Sequence, residues 1–131
     1  MGTRSLTIVE DEKGREIVTI YRQFDGYYDG HGKELADFLT GFTLVNGLRG
    51  DGPEKIANGL GCLAAQVVAH FKKEPGGIYL YPAGARDVGE EYVYVVSGVI
   101  GGEPTIKVDD YSGPASGFDD FIKSQAEAED E

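Results

Sequence analysis

Ile56, Leu60, Leu63, Ala64, Val67, Val68 and Phe71 recur at intervals of three and four residues. That period places all seven on one stripe of an α-helix, predicted over residues 53–72, with Pro53 in its first turn and Lys72 and Lys73 at its end. A helix with one apolar stripe needs an apolar surface to lie on. The rest of the chain offers strands to build one. Leu6, Ile8 and the run Ile17–Tyr21 flank the turn residues Asp11–Arg15, which predicts a hairpin with strands over 4–10 and 16–23. Three further β-branched and aromatic runs, Gly77–Tyr81, Glu91–Ser97 and Thr105–Val108, are joined by turns at Ala83–Gly89 and Gly101–Pro104. They read as an antiparallel meander. Leu35, Phe38, Leu39 and Phe42 mark a shorter helix over 32–40, and Phe118–Ile122 a short C-terminal one. The order ββααβββα predicts an α+β fold. Its antiparallel sheet combines the N-terminal hairpin with the C-terminal three-strand meander, and two helices pack on one face.

A chain of 131 residues is one domain's length, here residues 1–124, and can bury a core without a metal or disulfide staple. The one cysteine, Cys62, favours a reducing compartment and reads as a small residue buried on the long helix. No apolar run approaches a membrane span, and the N-terminal residues lack the apolar core of a signal peptide. A cytoplasmic location is the expectation. The formal net charge of -11 opposes extended nucleic acid and anionic membrane as partners. That charge is uneven: residues 119–131 hold six acids and one lysine. Residues 125–131 have no large apolar side chain and read as a disordered acidic tail.

Glycine is twice as frequent as usual, at 20 of 131 residues, and two glycine-rich stretches interrupt the pattern. Val45–Gly52 reads as a plain connection. Tyr21–Leu35 (YRQFDGYYDGHGKEL) is chemically denser, because a strand ends, a glycine-rich loop turns and a helix begins. Helix N-terminal N–H groups can receive an anion, and glycines such as Gly32 let a ligand approach the backbone. Arg22 offers a planar fork for phosphate or carboxylate, and His31 a polar contact. Phe24 and Tyr27 can stack on a ring, and Asp25 can accept from ring or ribose donors. Arg4 joins this set if the first hairpin brings it close, and Arg86, in the turn after Tyr81, is a candidate for a second anion contact. A structural role for the same loop stays open: glycines for close packing, Asp29 as a helix cap and aromatics at the core edge. The spacing matches neither a Walker loop nor a dinucleotide fingerprint.

Two histidines, His31 and His70, give no metal-ligand spacing, and no catalytic triad or carboxylate pair can be assembled from spacing. The expectation is therefore a non-catalytic binding protein without cofactor or metal, acting on a small anionic ligand. An acidic inhibitor or adaptor that docks on a protein partner is the alternative. So small a chain encloses little ligand alone, so a homo-oligomer is expected, with Gly61, Ala64 and Ala65 as a candidate contact.

The runs TRSLTIV at Thr3–Val9, YRQFDGYYDGHGKEL at Tyr21–Leu35 and GLGCLAAQVVAHFK at Gly59–Lys72 resemble a family of small uncharacterised proteins from bacteriophages, prophages and bacteria. The resemblance covers Thr3 to about Tyr111. It implies no activity and assigns no functional residues, but it implies phage biology. Small acidic phage proteins of this size are often host-defence inhibitors, some sequestering nucleotide signals and others mimicking nucleic acid. That step rests on analogy.

Overall fold

The computed structural model describes residues 2–47 and 55–129. Strands β1 (Ser5–Glu10) and β2 (Glu16–Arg22) form the expected hairpin, closed by Asp11, whose carboxylate accepts the N–H groups of Lys13 and Arg15 at 2.9 Å each. The chain then makes a π-helical turn over Tyr28–Gly32 and enters α1 (Lys33–Leu39). Strands β3 (Thr43–Val45) and β4 (Ile56–Asn58) form a small parallel pair. Helix α2 (Gly59–Phe71) follows, then β5 (Ile78–Tyr81), β6 (Tyr92–Ser97), β7 (Thr105–Val108) and β8 (Tyr111–Pro114). A 3-10 turn at Ala115–Gly117 leads into α3 (Phe118–Glu129).

The fold is α+β, with a mostly antiparallel sheet in the order β5-β2-β1-β6-β7-β8. Strand β1 lies inside the sheet, which explains why Ser5–Val9 are buried whichever face they point to. Alternation sends Val9, Ile20, Tyr94, Val96 and Ile106 to one face, where they form the core with Leu35 and Leu39 of α1, Leu60, Leu63 and Val67 of α2, and Phe118 of α3.

The three-strand meander is corrected in one respect. It consists of β6, β7 and β8, whereas β5 pairs antiparallel with β2 on the far edge and β6 pairs parallel with β1. Tyr21 on β2 meets Tyr79 and Tyr81 at ring distances of 6.1 and 5.7 Å, and these cross-strand aromatic contacts hold β5 there. The connection Pro82–Glu91 can extend about 33 Å, enough to pass β2 and β1. It is anchored where the Glu16 carboxylate accepts from the Gly84 N–H and pairs with Arg86, and where the Glu91 N–H meets the Arg4 carbonyl.

The long helix also starts later than its stripe suggested. Ile56 belongs to β4, and Gly59 turns the chain with φ +82°. The N-terminus of α2 is capped from a distance, because the Leu60 N–H donates to the Glu12 carboxylate at 2.7 Å. Pro53 and most of the glycine-rich connection lie outside the described residues. The expected disordered tail is helical as far as Glu129, since Phe121, Ile122 and Gln125 form a partly buried stripe that docks α3. Cys62 is exposed, not buried, and its thiol faces Gln66. Among the described residues no helix is long and apolar enough to cross a membrane.

Candidate functional site

Strand β2 ends at Arg22, and the glycine-rich loop after it is closed by the chain's own carbonyls. Gly26 N–H donates to Thr3 O at 2.9 Å, Gly30 N–H to Tyr27 O at 3.0 Å and His31 N–H to Asp25 O at 2.6 Å. Asp25 sits at φ +62° to make this turn. The glycines serve close packing. A Cβ on Gly26 would lie 2.8 Å from the Ser5 side chain, and one on Gly32 would lie 2.8 Å from the Phe118 ring. The N–H groups of Gly26, Gly30, His31 and Gly32 are thus already engaged by carbonyls of the chain itself and are not among the donors this loop could turn to an anion.

His31 lies beneath the loop at 1% exposure, with its ring 4.9 Å from Phe71 and 5.2 Å from Tyr94. Arg22 Nη1 lies 3.1 Å from Nδ1, and Thr7 Oγ1 lies 2.6 Å from Nε2. A guanidinium only donates, so Nδ1 accepts and the proton sits on Nε2, which donates to Thr7. Burial, followed by the positive charge of Arg22, pushes the His31 pKa from 6.5 down to about 3. The ring is thus neutral, and it holds Arg22 from behind. The expectation that His31 touches a ligand is corrected, since the core covers it.

On its other side Arg22 Nη1 pairs with Glu34 of α1. Nη2 stands 3.9 Å from Asp25, and the guanidinium lies 5.8 Å from the Phe71 ring centre. Arg22, Phe24, Asp25 and Glu34 form one side of a cleft of about 480 Å³. His70, Phe71, Lys73 and Glu74 at the end of α2 form the other, and Gly76, Gly77 and Ile78 complete it. Phe24 is half-exposed at 49%. His70 stacks on Phe38 at 4.1 Å, and burial followed by the charge of Lys73 lowers its pKa.

Of the residues expected to act together, Arg22, Phe24 and Asp25 do meet in the cleft. Tyr27 lies outside it and donates its hydroxyl to Asp25 at 3.2 Å. Gly32 is packed behind the loop against Tyr94 and Phe118. Arg4 is excluded by strand alternation: Ser5 faces Gly26, so Arg4 points the opposite way, toward Gly89. Arg86 pairs with Glu16 at 3.0 Å, beyond the opposite end of β2. Glu34 and residues 70–78 are the contributors that sequence reasoning missed. Their only signal was the Pro75-Gly76-Gly77 stop after the long helix, and the pairing of Ile78 with Arg22 is what brings that stop to the site. Of the candidate small-residue contact, Ala64 belongs to the core, while Gly61 and Ala65 are exposed.

Among the described residues no three His, Cys, Asp or Glu side chains are grouped to hold a metal ion. Comparison with protein-family models, curated proteins and solved structures gave no match to this chain.

Proposed function

We propose that this chain is a non-catalytic binding protein that sequesters a small anionic, nucleotide-like ligand in the cleft at the end of β2. The observation that carries the reading is Arg22, held from behind by neutral His31 and lying 5.8 Å from the Phe71 ring centre in a cleft of about 480 Å³ that Phe24 also lines. That volume lies in the range of small-molecule sites, roughly 300–1,000 Å³. Arg22 and Lys73 supply the positive charge, Phe24 a face for a ring, and Asp25 an acceptor for ribose or ring donors. Combined with the phage resemblance, the reading is of a counter-defence protein that removes a nucleotide signal from the host cytoplasm.

Calorimetry against a panel of nucleotides and cyclic oligonucleotides tests it. Phe24→Ala removes a half-exposed ring, so it should weaken binding about tenfold, as loss of one base–aromatic stack does, with the folded far-UV circular dichroism spectrum retained. Absence of binding across the panel refutes the reading.

A second reading has its own observation. Asp109, Asp110, Asp119 and Asp120 are all exposed, with Asp109 hydrogen-bonded to Tyr28 and Asp120 near Tyr111. This acidic surface suits an inhibitor or adaptor that docks on a basic partner. Binding to that partner would weaken with salt and on neutralising Asp119 and Asp120, and would not respond to Phe24→Ala.

A further inference from the structure

Resting on the ligand-binding reading above, we propose that the cleft selects a ligand carrying one singly charged, two-oxygen anion, and disfavours phosphomonoesters and polyphosphates. Phosphodiesters and carboxylates share that chemistry.

The donors of Arg22 carry the first half of the argument. Both N–H bonds of Nη1 have partners, one in His31 Nδ1 and one in the Glu34 carboxylate. Nη2 has only the 3.9 Å ion pair with Asp25, beyond hydrogen-bonding distance, and Nε has no hydrogen-bond partner among the described residues. The guanidinium therefore keeps one complete edge, Nε with Nη2, whose two parallel N–H bonds match two oxygens of one anion. An anion can take that edge without displacing Glu34.

The surrounding charge carries the second half. Arg22 and Lys73 line the cleft together with Asp25, Glu34 and Glu74. Three carboxylates thus face two cations before any ligand arrives. One negative charge on the free edge adds to this surplus but gains two charge-assisted hydrogen bonds from the guanidinium in return. A second charge on the same group, or further phosphates, would face Asp25 and Glu74 with only Lys73 to compensate.

The experiment is calorimetry on the full chain at low ionic strength with one nucleoside in five forms: uncharged, 5′-carboxylate, 3′,5′-cyclic phosphodiester, 5′-monophosphate and 5′-triphosphate. The carboxylate or the cyclic diester should bind at least about tenfold more tightly than the monophosphate and triphosphate. Which of the two binds identifies the source of the anion. Glu74 is exposed in a turn, so Glu74→Gln should leave the fold intact and narrow that ratio several-fold. A monophosphate or triphosphate that binds as tightly as the singly charged forms overturns the selectivity while sparing the ligand-binding reading. So does a ratio that Glu74→Gln leaves unchanged. No binding by any form overturns both.

Discussion

His31→Gln removes an imidazole that is 1% exposed and bonded at both nitrogens. The variant loses the bonds to Thr7 and Arg22 and the ring contacts with Phe71 and Tyr94. One neutral and one charged hydrogen bond together with imperfect packing should cost about 3 kcal/mol at pH 7. With m near 2 kcal/mol per molar urea, the midpoint should fall by about 1.5 M. The chain has no tryptophan, so far-UV circular dichroism is the suitable signal. The pH dependence is the sharper part. The His31 pKa is about 3 when folded, against 6.5 for a free histidine. The folded value is the lower one, so from about pH 6.5 down toward 3 the unfolded chain binds a proton that the folded chain refuses. Stability from the neutral ring is complete above that window and falls by about 1.4 kcal/mol per pH unit within it. The wild type should therefore lose about 2 kcal/mol more than His31→Gln between pH 7 and pH 5, and the gap between them should shrink to about 1 kcal/mol. Carboxylates and His70 titrate in both proteins and cancel. A gap that stays constant over this range would refute a neutral, buried His31 as the support of Arg22.

Three further outcomes test the local arguments. Glu12→Ala should lower stability by about 1 kcal/mol in urea denaturation, because it strips the α2 N-terminus of its distant cap at Leu60. Gly59→Ala combines φ +82° with a Cβ only 3.1 Å from the same Glu12 carboxylate, and should cost about 1–2 kcal/mol. Gly32→Ala would press a methyl 2.8 Å from the Phe118 ring and 3.0 Å from the Tyr94 hydroxyl. It should cost about 1–3 kcal/mol and speed proteolysis at α3, whereas Gly61→Ala, in open space, should be neutral or slightly stabilising.

Period and turn chemistry by themselves determined the α+β class, the first hairpin and the apolar faces of the first two helices. These signals are local: a stripe at Leu60, Leu63 and Val67 or an Asp11-to-Arg15 turn can be read without knowing its neighbours. They also singled out Arg22, Phe24 and Asp25, because charged and aromatic groups crowd one strand end. Pairing was not local. Whether β5 joins β6 or β2 depends on which edge is free and on how far Pro82–Glu91 can reach, and that choice set the second side of the cleft. Side-chain direction was not local either. One residue of strand phase separates Ser5, facing Gly26, from Arg4, facing away. Burial turned His31 from an apparent ligand contact into the neutral prop behind Arg22. The sequence named the charged and aromatic groups around one strand end. The tertiary structure decided which of them meet, because distance, burial and the partner already on each donor exist only once the chain is folded.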